Sequence, residues 1–183
     1  MVLEEKAWNA YPYCKTVLTN KFMGENMHII IETIHAEGNC DQENIHNLGA
    51  EDLAKREVIP IDISVKMDNP KYYEPENDPS LFKSEKTGRG PLQEGWQAVA
   101  KPVMTCYKLC RMRFKWFGLQ STVESIMAKE EFKVFKKFHQ KLFCSIDKWF
   151  GLTMEDIRVM EEEAKKELDA KLNDAEIEGR EKN

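Results

Sequence analysis

Several features that define common protein classes are missing from this 183-residue sequence. No apolar run approaches the roughly 18 residues that a membrane-spanning helix needs. Residues 1–5 lack the apolar core of a signal peptide, so we expect no secretory signal. Five irregularly spaced cysteines favour reduced thiols over a disulfide framework. Together these absences predict a soluble, cytoplasmic protein.

The usual signatures of catalysis and metal binding are also absent. The sequence contains no Gly-x-Ser-x-Gly elbow, no P-loop and no Cys-x-x-Cys pair. Its four histidines lack metal-ligand spacing, and Cys106 and Cys110 lie too far apart along one strand to chelate easily. A net charge of −5 argues against general nucleic-acid binding. We therefore expect a protein that is not an enzyme and has no metal, cofactor or nucleic-acid partner.

The composition is that of a globular chain, with 42% hydrophobic and 32% charged residues. We expect a single domain over residues 1–183, with a frayed tail from about residue 174. Charge is unevenly distributed: residues 108–141 hold nine Lys or Arg against three Glu, whereas the segment from residue 155 onward holds eleven acids against six bases. The basic band is either an ordinary solvated helix face or a surface that attracts an anionic membrane.

Alternating apolar and polar residues, with many β-branched side chains, predict four strands in the first two thirds of the chain. They cover residues 11–20, 27–35, 58–65 and 105–114. The stretch 68–101 is rich in Pro and Gly, which predicts turns, with one short helix at 79–84. This order, strands first and helices later, indicates an α+β fold.

The last third of the chain has the periodicity of helices. Apolar residues at helical spacing predict one helix of about thirty residues, from Leu119 to Trp149, that Gly151 ends. Thr153 followed by Asp156 forms a capping box, which predicts the start of a second helix there.

Three polar residues fall on faces that are otherwise apolar. Lys108 alternates with Cys106, Cys110, Met112 and Phe114 along its strand, and Thr33 ends the apolar face of the strand before it. Glu131 lies on the apolar stripe of the long helix. A lysine in an apolar interior needs an anionic partner. That partner is either Glu131, in a closed internal pair, or the phosphate of a bound ligand, and the pattern leaves both open.

Trp116 and Phe117 are adjacent aromatics at the turn between the fourth strand and the long helix. Arg111, Arg113 and Lys115 precede them. Aromatic rings favour the bilayer interface, and Lys and Arg attract anionic head groups. The pair therefore predicts a membrane-touching wedge or, alternatively, a corner buried by the fold itself.

Four segments resemble phosphatidylinositol transfer proteins. Residues 7–14 read Ala-Trp-Asn-Ala-Tyr-Pro-Tyr-Cys, residues 82–91 read Phe-Lys-Ser-Glu-Lys-Thr-Gly-Arg-Gly-Pro, and residues 115–120 read Lys-Trp-Phe-Gly-Leu-Gln. The fourth segment combines Leu-Phe-Cys at 142–144 with Asp-Lys-Trp at 147–149. The resemblance runs from about residue 5 to residue 172 and favours the small soluble class of the family.

The resemblance implies a START-like fold, in which a curved antiparallel sheet, a long helix and a C-terminal helix surround a lipid cavity. Family members carry phosphatidylinositol or phosphatidylcholine between membranes by exchange, and they use no metal or cofactor. We therefore expect both phospholipids as ligands and transient contact with anionic membrane surfaces.

The resemblance also assigns roles to particular residues. It places Asn9 and Glu162 at the inositol head group, and Thr16, Thr33, Lys108 and Glu131 near the phosphate and choline. It places Cys14 on the cavity wall, Trp116 and Phe117 in the membrane-docking loop, and Ser84 at a regulatory phosphorylation site. Glu162 rests on the resemblance alone, because it falls off the apolar stripe of its helix.

The sequence departs from the family pattern at two aromatic positions and in its length. Phe117 replaces a second tryptophan, and Ser145 stands where the family often has tryptophan. Family chains extend further at the N-terminus, where a Thr/Lys pair binds the inositol phosphate. We therefore expect a spliced or truncated form that lacks the N-terminal third and transfers phosphatidylinositol poorly. The alternative to transfer is a membrane-docking binding module.

Overall fold

The computed structural model describes residues 3–67 and 69–181. Its centre is a four-stranded antiparallel sheet in the order β1-β2-β3-β4. The strands are β1 (Glu4–Ala10), β2 (Tyr13–Thr19), β3 (Met27–Glu37) and β4 (Met104–Phe114). The strands predicted at 27–35 and 105–114 are confirmed and slightly longer than expected. The sheet is open, and helices follow it along the chain.

The strand predicted at 11–20 is wrong at its N-terminal end. Tyr11 and Pro12 form the tight turn that joins β1 to β2, so the second strand begins only at Tyr13. Proline has no N–H to donate to a ladder, which suits it to such a turn. The pattern of the sequence does not predict β1, because its residues, Glu-Glu-Lys-Ala-Trp-Asn-Ala, do not alternate.

Burial explains why β3 lies inside the sheet. Met27, Ile29, Ile31 and Thr33 are all buried, whereas the residues between them are half-buried. A strand with one buried face is stabilised because its alternate apolar side chains are removed from water, which contributes about 25 cal/mol for each Å² of apolar surface buried. β3 pairs with β2 on one side and with β4 on the other, and it therefore sets the position of both neighbours.

Five helices occur among the described residues. They are α1 (Ala50–Lys55), α2 (Trp96–Val99), α3 (Gln120–Cys144), α4 (Ile146–Trp149) and α5 (Met154–Glu181). Of these, α3 packs against β4. Three single 3-10 turns occur at Gly24–Asn26, Pro70–Tyr72 and Pro75–Asn77. None of the helices in the described ranges has both the length and the apolar character needed to cross a membrane.

The predicted thirty-residue helix is two helices, α3 and α4. Ser145 leaves helical geometry between them, and its hydroxyl donates to the carbonyl of Leu142 at 3.1 Å. The indole N–H of Trp149 donates to the same carbonyl at 2.9 Å. These bonds satisfy a carbonyl at the end of α3, where the helix has no backbone partner to offer.

The capping box at the start of α5 is confirmed. The N–H and hydroxyl of Thr153 donate to the Asp156 carboxylate at 2.8 and 2.7 Å, and the Asp156 N–H donates back to the Thr153 hydroxyl at 3.2 Å. From there the backbone stays helical to Glu181, past the point where we expected fraying. Fraying of these last turns stays a prediction, and residues 182–183 lie outside the described residues.

The helix predicted at 79–84 is wrong: a single turn forms there. The N–H groups of Leu81 and Phe82 donate to the Asp78 carbonyl, both at 3.0 Å. The segment then bonds to residues further along instead of continuing as a helix. The Ser84 N–H donates to the Arg89 carbonyl, and the Pro79 carbonyl accepts from the Leu92 N–H, both at 2.8 Å.

The strand predicted at 58–65 is also wrong. Residues 56–62 have no regular secondary structure, and residues 63–65 form a turn and bend. Gln140, on α3, donates to the carbonyls of Ile63 and Val65 at 3.0 and 2.9 Å, and Lys136 donates to the carbonyl of Lys66 at 2.9 Å. The alternation of Ile and Val suggested a strand, but helix side chains satisfy these carbonyls in place of a neighbouring strand.

Asp62 fixes the same segment from the other side. Its carboxylate accepts from the Ser64 N–H and hydroxyl, from the Trp96 indole at 3.0 Å and from the Gln97 amide at 2.8 Å. Burial acts to raise the pKa of Asp62, but these four donors outweigh it and lower the pKa. The carboxylate thus stays charged and joins this segment to α2.

We predict that Gln140→Ala lowers the free energy of unfolding by about 2 kcal/mol, because it leaves two inward-facing carbonyls without their donor. Gln140 is 6% exposed. Urea unfolding, monitored by circular dichroism, measures the change. The control is Val134→Ala on the same helix, where an exposed side chain should cost under about 0.5 kcal/mol. Equal effects of the two substitutions would contradict the role given to Gln140.

Candidate functional site

The strand register assembles four of the predicted site residues into one row. Asn9 lies opposite Cys14, Cys14 lies opposite Thr33, and Thr33 lies opposite Lys108. Directly opposed residues of antiparallel strands point to the same face of a sheet, with Cβ atoms about 5 Å apart. We call these residues the cross-strand row and the face that bears them the site face.

Thr16, a fifth predicted residue, lies on the site face in the neighbouring row. Its partner on β3 is Ile31, which in turn opposes Cys110 on β4. The row that contains Thr16 is therefore apolar beyond that threonine. A small polar row next to an apolar one is the arrangement that an amphipathic ligand needs.

Lys108 is the charged member of the cross-strand row. Its ammonium donates to the hydroxyl of buried Thr33 at 3.3 Å, and it lies 5.0 Å from the centre of the Phe135 ring on α3. The side chain is half-buried. With the side chains of residues 3–67 and 69–171 it makes no ion pair closer than 4.0 Å. The Thr33 hydroxyl and the Phe135 ring are thus direct partners of Lys108, which also interacts with the Cys106 thiol.

Glu131 on α3 is near Lys108 but does not form a closed pair with it. Burial raises the pKa of the Glu131 carboxyl, and the positive charge of Lys108 opposes this rise without cancelling it. Burial, followed by the charge of Glu131, raises the pKa of the Cys110 thiol to about 11. No nitrogen–oxygen distance between Lys108 and Glu131 is within 4.0 Å, so the two do not form a closed ion pair and the ammonium keeps donors for another acceptor.

Phe135 and His139 complete the wall opposite the row, and sequence analysis gave neither a role in the site. Both continue the spacing of four that starts at Glu131 on α3. Burial first, and then the charges of Lys108 and His35, lower the pKa of His139 to about 4. This fourfold spacing was the signal in the sequence, but Phe135 passed for core and His139 for an isolated histidine.

His35 and Cys106 extend the site face beyond the row. They oppose each other on β3 and β4, and the Cys106 sulfur lies 3.4 Å from the His35 imidazole. Burial raises the pKa of the Cys106 thiol, although the positive charge of Lys108 acts to lower it. No group of three or more His, Cys, Asp or Glu able to hold a metal occurs in the described part of the chain.

Glu162 is the predicted residue that the structure keeps apart from the others. It lies on α5 with its side chain largely exposed, 3.6 Å from Lys166 one turn later. Asn9, its expected companion at a head group, is exposed on edge strand β1. Among the described residues, no hydrogen bond or ion pair joins Glu162 to the cross-strand row. Its role at a head group stays a prediction.

The aromatic turn is exposed, so the buried-corner interpretation is wrong. Phe117 is fully exposed and Trp116 is 52% exposed. The turn is shaped by Gly118, whose φ of +74° suits glycine, and by a bond from the Leu119 N–H to the Trp116 carbonyl at 3.2 Å. Two aromatic side chains are thereby held in solvent at one end of the sheet.

Ser84 is buried and bonded at every available atom. Its hydroxyl donates to Asp147 at 2.5 Å and accepts from the Thr87 N–H and hydroxyl at 2.9 and 2.7 Å. The Ser84 hydrogen bond is also the main reason that the pKa of Asp147 is lowered. A kinase can reach this hydroxyl only when the loop that carries Ser84 moves away from Asp147. Phosphorylation of Ser84 stays a prediction.

A family model described as phosphatidylinositol transfer protein matches residues 1–166. The chain belongs to this family. Phosphatidylinositol transfer protein 1 of Dictyostelium discoideum is 49% identical over 174 residues, which cover 94% of this chain and 66% of that protein. The human beta isoform is 46% identical over 175 residues, which cover 92% of this chain and 65% of the isoform. Phosphatidylinositol transfer protein 5 of Dictyostelium discoideum is 41% identical over 172 residues.

Membership of the phosphatidylinositol transfer protein family agrees with the fold. The antiparallel sheet, the long helix α3 and the C-terminal helix α5 are an α+β arrangement, and the family is START-like. The chain spans slightly less than two thirds of the length of Dictyostelium protein 1 and of the human beta isoform. The activity and ligands of those longer proteins therefore come to this chain as a proposal.

We predict that stability falls between pH 7 and pH 4.5 because of His139. Its pKa is about 4 in the folded chain against an ordinary 6.5, so the unfolded chain binds more protons in this range. The free energy of unfolding is therefore highest above pH 6.5, and it decreases by on the order of 2 kcal/mol as the pH approaches 4. Urea titrations across this range measure the decrease.

His139→Gln provides the comparison, because glutamine cannot titrate. We expect its stability to vary less with pH than that of the unmodified chain over the same range, while titration of carboxylates affects both chains alike. Parallel pH profiles for the two proteins would contradict a buried, neutral His139.

Proposed function

We propose that this chain binds one phospholipid at the site face and exchanges it between membranes. Phosphatidylinositol and phosphatidylcholine share a phosphodiester, and one cationic site therefore serves both. The proposal is supported by membership of the phosphatidylinositol transfer protein family and by relatives that bear that name. Those names favour transfer over a docking module that carries no lipid.

The single observation that carries the proposal is the incompletely neutralised charge of Lys108. An ammonium has three N–H donors, and the Thr33 hydroxyl accepts from it at 3.3 Å. A half-buried cation without a carboxylate in contact gains most from an anionic oxygen acceptor. A lipid phosphate supplies such an acceptor and also brings acyl chains to the apolar residues beside the row.

The other residues of the row suit the rest of a head group. The Asn9 amide can both donate to and accept from inositol hydroxyls, and Thr16 offers a second hydroxyl near the phosphate. Cys14 is a half-buried free thiol on the wall of the site. Glu131, across the site on α3, offers a carboxylate to the choline ammonium. Glu162 would join this set only if α5 approached the sheet.

Exchange also requires contact with a membrane, for which we propose the aromatic turn. Trp116 and Phe117 are exposed, and the exposed cations Arg113 and Lys115 precede them. Aromatic rings insert at the interface, while cations are drawn to anionic head groups. Contact of the turn with a bilayer would bring the end of β4, and with it the site face, close to the lipid to be exchanged.

We predict that Lys108→Met reduces phospholipid occupancy at least about tenfold, because it removes a charge-assisted hydrogen bond to phosphate. Displacement of a fluorescent phosphatidylinositol measures occupancy, and a vesicle-to-vesicle assay measures transfer. The matched control is Lys15→Met, since Lys15 opposes Glu32 on the other face of the same sheet. The control should keep both activities.

Stability distinguishes a ligand site from an internal structural role. The melting temperature of lipid-free Lys108→Met should change little, because methionine can fill the same half-buried space. A large loss of stability together with unchanged lipid occupancy would contradict the assignment of Lys108 to the phosphate.

We predict that replacing both Trp116 and Phe117 with Ala weakens vesicle binding by at least about tenfold, since each exposed ring can bury apolar area in the interface. Co-sedimentation with vesicles containing phosphatidylserine measures binding. Far-UV circular dichroism should not change, because neither ring is part of the core. Phe150→Ala, which removes an exposed ring elsewhere, is the control and should bind normally. Unchanged binding of the double variant would exclude the turn as the docking site.

A further inference from the structure

Phe22 is an exposed aromatic residue that neither the sequence patterns nor the resemblance singled out. It lies in the connection between β2 and β3 and is 89% exposed, more than Trp116. A phenylalanine this exposed loses apolar burial that the fold could have used. We therefore ask which contact outside the fold could bury this ring.

The local structure of the β2–β3 connection holds Phe22 away from the core. The buried Asn20 carboxamide accepts from the Met23 N–H, and the Asn20 carbonyl accepts from the Gly24 N–H, both at 2.9 Å. Gly24 has a φ of +53°, which closes the turn. Within this turn Met23 is half-buried, whereas Phe22 faces solvent.

The connection that bears Phe22 lies beside the aromatic turn. Met27 and Phe114 are the paired residues at this end of β3 and β4, and the Lys115 N–H continues the ladder by donating to the Asn26 carbonyl at 2.7 Å. The two loops therefore leave the same end of the sheet as neighbours. Phe22, Trp116 and Phe117 are therefore exposed aromatic residues on two loops at that same end.

The charges at this end favour an anionic partner. The cations are Lys21, Arg113 and Lys115, all exposed, and the acids are Glu25 and Glu124. Glu4 also lies at this end, opposite Thr19, but it is paired with Lys6 at 3.8 Å. Glu124 already accepts from the Phe114 N–H at 2.9 Å and from the Gln120 amide at 3.2 Å. An apolar tip with three exposed cations against two acids matches the interface of an anionic bilayer.

We propose that Phe22 is a third membrane anchor, inserted into an anionic bilayer together with Trp116 and Phe117. The inference rests on the proposed function and deepens it. If only the aromatic turn inserted, the protein could tilt on the bilayer surface. Insertion of the neighbouring β2–β3 connection as well restricts that tilt. Anchoring at both loops fixes the end of the sheet against the bilayer and therefore orients the site face.

Vesicle co-sedimentation of the full chain tests the proposal. The probes are vesicles of phosphatidylcholine alone and of phosphatidylcholine with phosphatidylserine. We expect Phe22→Ala to lower the partition coefficient for the anionic vesicles about five- to tenfold, because part of one ring's burial is lost. Phe22→Asp should lower it further, and Phe22→Leu should retain most of the binding.

The matched control is Tyr11→Ala. Tyr11 is also largely exposed, but it lies in the β1–β2 turn at the opposite end of the sheet. This variant should bind vesicles like the unmodified chain. Circular dichroism and melting of every variant show whether the fold is kept. If Phe22→Ala unfolds, the partition coefficients of Phe22→Leu and Phe22→Asp can still be compared.

The outcomes separate this inference from the proposed function. Loss of binding in the Trp116 and Phe117 double variant, with no change in any Phe22 variant, would overturn the third anchor and leave the aromatic turn in place. Reduced self-association of Phe22→Ala in sedimentation velocity, with vesicle binding unchanged, would assign Phe22 to a protein contact and also overturn it. Unchanged vesicle binding in the Phe22 variants and in the Trp116 and Phe117 double variant would exclude this end of the sheet as a docking surface.

Discussion

The pairing register of β3 with β4 is the constraint on which the rest of the structure depends. The eleven residues of β3 are all paired with β4, from Met27 opposite Phe114 to Glu37 opposite Met104. A slip of one residue would turn Lys108 to the other face of the sheet and bring Leu109 onto the site face. The buried alternation of β3 opposes such a slip, because it would expose apolar side chains to water. The cross-strand row and the adjacent loops both follow from this one register.

Much of the site was predictable because a strand alternates with a period of two. Lys108 and Thr33 interrupt otherwise apolar faces, so the sequence marks them without any knowledge of their neighbours. The helical spacing of α3 marks Glu131 in the same way. The register itself could not be predicted from the pattern, because alternation fixes which face a residue occupies but not which residue it opposes. The convergence of Asn9, Cys14, Thr33 and Lys108 in one row therefore became visible only in the fold.

Long-range polar contacts override the local pattern in one of the segments that was predicted wrongly. The alternation at 58–65 is strand-like, yet Gln140 and Lys136 take the carbonyls at its end and Asp62 holds its turn. These partners lie more than thirty residues away. Phe22 was missed for the converse reason. A single aromatic in a polar turn has no periodicity, and only the bond between Lys115 and Asn26 reveals its neighbours.

The proposed exchange depends on binding of one phospholipid at the site face. Native mass spectrometry of the full chain, after incubation with vesicles of mixed phosphatidylinositol and phosphatidylcholine, tests it most directly. We expect a complex of one chain with a single phospholipid of either kind, which persists after the vesicles are removed. Only lipid-free protein, or a ladder of several lipids that dissociate together at low collision energy, would contradict it.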